Sequence, residues 1–545
     1  MLKCTNGGKL VSQGSLRPTE YRRSVVRCSY LGRTERESSK KLDGQKRTGV
    51  LPPARLSVRD LGFESRQNPA LLQNLQSWWQ EISESCEQRV RSLLTSKYDK
   101  QIIGLAGPAL LTLAADPLLS IVDTAFVGRL GSNELAALGV NTAIYSLAFV
   151  LFNFLATTTT PLIASALSNG DKDKTSQLTF QAFLLSGVLG LSLMGGLFAF
   201  SDSTLSIMGA EGEVAVLGKQ YLLARAVAAP AAVWCLAGQG VFRGVQDMRT
   251  PLMVTLAANG MNLILDPILI YGFHFGVQGA ALSTSFAEIS SAVAYTVILW
   301  SKHREKLGLN CSIQTVVRHA QSDYLPFLSA GGTVLLRTSL LLGTKTLASS
   351  VATHLGPISI SAHQLVAQLW LLFSLVMDSL AVSGQSLIAV SLGRGDKVSA
   401  REMSNRLMEL GLSLGLILAM VFTAISPAFP HLFTEDPNII AQAYAILPMA
   451  IFILPINSLA YVLDGIMIGA EDFSFLALSM ASTAVVVSSC LLMVEPLGGG
   501  LEGVWACQSL LMVMRVGTLA ARYNSGEGPI PPLIEGAKAE SANAK

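Results

Sequence analysis

From Gln101 onward the chain alternates long apolar runs with short polar breaks. A helix rises 1.5 Å per residue and needs about 20 apolar residues to cross the hydrocarbon layer. Runs of that length lie near 101–127, 135–166, 176–200, 215–241, 250–271, 277–300, 322–350, 358–391, 403–425, 438–464, 473–494 and 500–521. The pattern therefore predicts an all-α polytopic membrane protein with twelve transmembrane helices.

Charge changes the picture by giving the spans a direction. On the N-terminal side lie Lys172, Lys174, Arg243, Arg249, Lys302, Arg304, Lys306, Arg318, Arg394, Lys397, Arg401 and Arg522. The opposite side carries mainly Arg129 and Lys219, beside Asp202, Glu211, Glu213, Glu435 and Asp436. The positive-inside rule then puts both ends of the membrane part on the cytosolic side, or on the stroma or matrix side of an organelle. Composition agrees, with 50% of the 545 residues hydrophobic and 14% charged, a balance typical of membrane proteins.

The region before the spans differs. Lys3, Lys9, Arg17, Arg22, Arg23, Arg27 and Arg33 face one acid, Glu20, among frequent Ser and Thr. Residues 1–60 read as an organelle transit peptide, the alternative being a basic cytosolic tail. Residues 61–100 form a linker in which Leu71, Leu72, Leu75, Trp78, Trp79 and Ile82 suggest an interfacial amphipathic helix.

The two halves repeat. Leu130-Gly131 recurs as Leu355-Gly356, 225 positions on, and Gly170-Asp171-Lys172 as Gly395-Asp396-Lys397 at the same offset. Pro230 falls on Pro455, Gly244 on Gly469 and Asp247 on Asp472. Each half holds six spans, so the halves share one orientation and are related by an axis along the membrane normal. The predicted domains are a lobe at 101–301, a linker at 302–321, a lobe at 322–523 and a polar tail at 524–545. Two such lobes make a V around a central cavity, the layout of an alternating-access carrier.

Seven cysteines form no CxxC pair or Cys/His cluster, and no GxxxxGK[ST] loop occurs. No metal, cofactor or nucleic acid is expected. Nor does any nucleophile–base constellation suggest an enzyme.

Candidate chemistry rests on polar residues inside the spans. Asn262 and Asp266 are four apart and share a helical face. A carboxylate at that depth costs about 2.5–3.5 kcal/mol on insertion scales, so it normally faces a partner or a cavity. Asp116 and Asp123 stand two turns apart in the first span, where Pro108 and Pro117 predict a bend. Asp123 and Asp266 both fall late in helices running outward, and that placement suggests a shared site for H+ or a monovalent cation. The structural alternatives are a helix-end Asp266 near headgroups and an Asp123 paired with Arg129. The second half offers Ala348 opposite Asp123, with Arg337 and Lys345 in the seventh span and Asp378 in the eighth. An Arg337–Asp378 pair across neighbouring helices is expected there, with Lys345 on the cavity wall.

DTAFVGRLG at 123–131, NLILDPILIYGFHFGVQGAALST at 262–284 and the paired NGDKDK and GRGDKV segments resemble the multidrug and toxic compound extrusion (MATE) family, in its DinF-like branch. The resemblance runs from Gln101 to Tyr523, and the basic extension looks like that of plant chloroplast members. It implies coupling of H+ or Na+ through Asp123, Asn262, Asp266 and Thr284, with Pro108 as the bending proline. The seventh-helix acid of many relatives is absent, Arg337 and Lys345 standing there instead, which argues against bulky organic cations. The expected function is a secondary antiporter in the lipid bilayer, acting as a monomer. It would export a small organic solute, for which an organic anion is one reading. A lipid-linked precursor flippase is the alternative. The expected location is the chloroplast envelope, the alternatives being a mitochondrial or plasma membrane.

Overall fold

The structure, a computed structural model, describes residues 96–309 and 323–532. The transit-peptide reading, the amphipathic segment up to residue 95, residues 310–322 of the linker and the tail from 533 lie outside the described residues.

Long apolar segments fold as helices because a membrane supplies no partner for a bare amide, and a helix satisfies its own. The N-terminal lobe comprises α1 (Asp99–Val127), α2 (Ser132–Phe152), α3 (Phe154–Ser168), α4 (Lys172–Ala199), α5 (Ser201–Ile207), α6 (Gly212–Ala226), α7 (Ala229–Gly244), α8 (Arg249–Pro267) and α9 (Gly276–Ile298). The C-terminal lobe comprises α10 (Leu325–His354), α11 (Pro357–Gly393), α12 (Lys397–Ile425), α13 (Pro437–Phe452), α14 (Leu454–Gly469), α15 (Phe473–Val494) and α16 (Gly500–Ser525). Ten segments cross singly, and two bent pairs complete the twelve expected spans: α6 with α7 at 51° and α13 with α14 at 49°. The bends fall just before Pro230 and Pro455, the prolines that the repeat aligns, and each proline lies in the first turn of its second helix, where a missing amide costs least. No strand occurs among the described residues.

The repeat is visible in the packing. Gly170 (φ 79°) and Gly395 (φ 76°) take the left-handed conformation. Each leads into an Asp cap, Asp171 accepting from the Lys174 amide and Asp396 from the Ser399 amide. The Ser399 backbone hydrogen bond holds the Asp396 carboxyl below its usual range. Within the lobes α7 crosses α3 at Gly240, where an added Cβ would sit 2.9 Å from the Ala156 carbonyl; the equivalent Gly465 of α14 would meet the Ala381 carbonyl of α11 at 2.4 Å. Only glycine lets these backbones approach so closely.

Helix α1 carries Pro108 and Pro117 inside one unbroken 29-residue α-helix. The two prolines therefore do not break the helix; the breaks within spans fall in the fourth and tenth. Near Pro117 the Ala115 carbonyl accepts from the Asn259 amide at 3.1 Å, and the Thr112 hydroxyl donates to the Pro108 carbonyl at 2.9 Å.

Bonds between the lobes gather at the end rich in basic residues. Arg406 of α12 donates twice to Asp99 (2.7 and 2.8 Å), and Tyr98 and Lys97 both reach Glu402 (2.7 and 2.9 Å). Ser386 of α11 donates to the Arg243 carbonyl at 2.9 Å. An added Cβ on Gly393 would meet the Ser165 carbonyl of α3 at 2.5 Å. The two lobes are therefore locked together on that side.

Candidate ion-coupling site and the second-lobe charge network

Helices α1, α8 and α9 bring the sequence-predicted residues into one cluster in the outer half of the first lobe. Asn262, Asp266 and Ser283 are completely buried, and Thr284 nearly so. The Asp123 and Asp266 carboxyls lie within hydrogen-bonding reach of each other. Ser283 donates to Asp266 Oδ1 in a short contact. With its nitrogen turned toward Asp266, the Asn262 amide donates to Oδ2 at 2.8 Å and Oδ1 at 3.0 Å, while its oxygen accepts from the Thr284 hydroxyl at 3.1 Å. Oδ1 of Asp123 is buried with no protein partner. Arg129 is not the partner of Asp123. Just past Asp266-Pro267 the backbone widens into a π turn over Ile268–Gly272, a local strain often found beside functional groups.

Four residues deeper along α9 stands Glu288, on the same face as Thr284. It accepts from Arg225 of α6 at 3.2 Å, with side chains 18% and 15% exposed. The Arg225 guanidinium also donates to the Tyr221 hydroxyl at 3.3 Å and lies over the Tyr145 ring, 4.4 Å from its centroid. Asp116 and Asp123 are both within electrostatic reach of Arg225. Asp116 is exposed on α1. The first lobe thus holds Asp116, Asp123 and Glu288 within reach of Arg225, with Asp266 beside Asp123.

The second lobe has the opposite balance. Asp464 of α14 accepts from both Arg337 of α10 and Arg515 of α16 in short contacts, the three side chains being 7%, 14% and 3% exposed. The expected Arg337–Asp378 pair is therefore corrected. Arg337 bonds Asp464, and Asp378 of α11 instead lies in the field of Arg243, Arg337 and Asp464. Lys345 stands apart from this network, 5.6 Å from the centroid of the Trp370 ring.

A model of the MatE family matches residues 108–268 and 334–492, one block in each lobe. The chain belongs to the MATE family. It is a multi-pass membrane protein and a secondary transporter of the solute-exporting kind. It is 36% identical over 445 residues to "Protein DETOXIFICATION 44, chloroplastic" of Arabidopsis thaliana, covering 79% of this chain and 84% of that protein. It is 27% identical over 437 residues to "DNA damage-inducible protein F" of Escherichia coli (strain K12), covering 79% and 93%. Its fold matches "Crystal structure of MATE in the bent conformation" with a TM-score of 0.71 at 19% identity, over 83% of this chain and 99% of that one.

For this MATE transporter the sequence reading missed Ser283, Glu288, Arg225, Asp464 and Arg515. A signal existed for most of them, since each charged residue interrupts an apolar span. Asp464 fell at the end of the tenth run and Arg515 inside the twelfth, and their meeting with Arg337 explains them.

Proposed function

We propose that the chain exports a small organic solute by alternating access in exchange for H+, with the Asp123–Asp266 pair as the coupling site. The observation that carries this reading is the carboxyl–carboxyl contact between α1 and α8, inside an otherwise buried polar cluster. One proton shared between two carboxyls makes that contact favourable. Losing it sets two negative charges against each other across two helices. Such repulsion biases the position of α1, and a solute that favours one position is thereby coupled to the proton. The adjacent Arg225 favours H+ over Na+, because a fixed cation already occupies the electrostatic place a bound sodium ion would take. Asn262, Ser283 and Thr284 orient the Asp266 carboxyl, while Pro108 and Pro117 leave α1 deformable. The lock between the lobes at the inner end supports alternation, since one side must be closed while the other admits ligand. The printed address of the Arabidopsis relative, together with the basic, Ser-rich start of this chain, favours the chloroplast envelope.

The test is gradient-driven flux in liposomes holding the full chain, as wild type, Asp123→Asn and Asp266→Asn, under separate pH and sodium gradients. Flux driven by pH and lost in both variants is expected. Flux that follows sodium overturns H+ coupling, and equal flux in all three makes the acids structural. Movement of labelled lipid with no solute flux would put the flippase reading ahead.

A further inference from the structure

Away from the coupling site, α10, α11 and α16 enclose a cavity of about 220 Å³ in the outer half of the second lobe. Its walls combine one cation, Lys345, with the indoles of Trp370 and Trp505, the amides of Gln364 and Gln368, and His363. No Asp or Glu lines it. We propose that this cavity binds a small monocarboxylate with a flat, unsaturated body, the carboxylate on Lys345 and the body against the two indoles.

Three independent features converge on that ligand. The first is charge. A lysine facing a cavity inside a membrane lobe needs a counter-charge. Asp464 is already shared by Arg337 and Arg515, so the wall leaves the place of the anion to a ligand. Gln364 and Gln368, four residues apart on α11, are exposed. Their amides stand on one face of an apolar helix, where they mark a wet mouth rather than a lipid-facing surface.

The second feature is a set of polar atoms the protein leaves unmet. Trp370 Nε1, Trp505 Nε1, His363 Nδ1 and Gln508 Oε1 are buried without a hydrogen-bond partner, and all four residues belong to this one cavity. His363 Nε2 lies 3.2 Å from the Ser349 hydroxyl. If Nε2 accepts from that hydroxyl, Nδ1 carries the ring proton and is a donor. Three of the four orphans are then donors, which suits acceptor oxygens on a ligand.

Shape is the third. The Trp370 and Trp505 rings are 5.6 Å apart between centroids, and His363 lies 5.8 Å from Trp505. Aromatic walls reward a flat apolar body, and the volume falls below the usual range for drug-sized ligands, about 300–1,000 Å³. One ring with one carboxylate suits that space. A di- or tricarboxylate would bring charges for which the wall has no second cation.

This inference rests on the exporter reading only for its meaning in transport, so binding is measured apart from flux. The full chain in lipid nanodiscs is titrated with benzoate, cyclohexanecarboxylate, citrate and benzylamine, reading tryptophan emission and heat. Benzoate is expected to bind at least tenfold more tightly than the other three. Lys345→Met should weaken benzoate at least tenfold, Lys345→Arg should restore most of it, and Lys219→Met, a lysine of α6 in the other lobe paired with Asp202, should bind as wild type. Trp370→Phe, which removes one of the two indoles and one unmet donor, should weaken benzoate severalfold and lose part of the emission change, Trp505 still reporting. Unaltered melting of Lys345→Met separates lost binding from lost folding. Benzoate that fails to bind wild type, binds Lys345→Met equally, or is outcompeted by citrate overturns the proposal. Binding with no flux of any solute would sink the antiporter reading instead and leave this site standing.

Discussion

Replacing Asp464 by Asn tests whether the second lobe is held by its ion network. One carboxylate oxygen serves both Arg337 and Arg515, and none of the three side chains is more than 14% exposed. A hydrogen bond to a charged group contributes about 1.5–3 kcal/mol, so two of them amount to about 3–6. Measured losses on removing one partner of a buried pair are about 3–5 kcal/mol, because the other charge stays behind. Asp378, in the field of Arg337, offsets part of the loss. The expected cost is therefore about 3–4 kcal/mol, a factor of about 100–1,000 in the folded ratio at 1.4 kcal/mol per decade. Thermal unfolding in detergent, followed by fluorescence-detected size exclusion, should show Asp464→Asn melting well below wild type. A triple variant, Arg337→Met with Asp464→Leu and Arg515→Met, should recover most of the loss, since apolar replacement of a whole buried network is often neutral. Asp464→Asn melting with wild type would refute the reasoning. So would a triple variant less stable than the single one.

Other outcomes follow from the same contacts. Gly465→Ala should destabilise by about 1–3 kcal/mol through overpacking, because its Cβ would lie 2.4 Å from the Ala381 carbonyl; Gly195→Ala, with open space around it, should melt at or above wild type. Arg225→Met and Glu288→Gln should be less than additive when combined, with a coupling of about 1–3 kcal/mol in a double-mutant cycle of melting; strict additivity would mean that the 3.2 Å pair is idle. At the inner loop, burial opposes ionisation of Asp247, but hydrogen bonds from Lys302, Thr250 and His303 outweigh it and bring the carboxyl down to about 2. A depressed carboxyl contributes stability that is complete above its unfolded value, about 3.9, and is lost as pH falls through 2. The melting gap between wild type and Asp247→Asn should therefore be constant from pH 7 to about 5 and close between pH 4 and 2; a constant gap throughout would show that the cause is not ionisation.

Much of the fold was legible because the bilayer imposes few solutions. Apolar length gave all twelve spans within several residues. The offset between Gly170-Asp171 and Gly395-Asp396 gave the duplication, since a left-handed glycine followed by a capping Asp is needed wherever α4 and α12 start. Less legible was the geometry inside spans. Pro108 and Pro117 lie inside one continuous helix, whereas the chain breaks just before Pro230 and Pro455, where each proline opens a new helix. A proline's position relative to a helix start decides between these outcomes, and periodicity does not locate starts inside an apolar run. Asp123, Asn262 and Asp266 were singled out by polar side chains placed inside apolar spans, whereas Thr284 was implied only by the family resemblance. Arg337 was given the wrong partner because Asp464 lies more than a hundred residues away, on a helix whose rotation the pattern leaves open.

The two lobes repeat one backbone but divide the electrostatics, and that division constrains how the carrier can work. Equivalent glycines hold equivalent crossings, so the scaffold of one lobe is the scaffold of the other. Acids crowd the first lobe around Arg225, where two carboxyls meet with an unpartnered oxygen on Asp123. Under the proposed coupling such a cluster would respond to a single proton, because its balance is unfinished. In the second lobe Asp464 is saturated by two guanidiniums, and a saturated network resists change. Under the proposed coupling, a proton arriving at α1 and α8 would move the first lobe against a second that keeps its shape. Lys345 and the indoles of Trp370 and Trp505, mounted on that rigid lobe, would present a fixed surface to a solute while the opposite wall shifts. On this reading the duplication supplies the hinge geometry, and the loss of charge symmetry gives the cycle its direction.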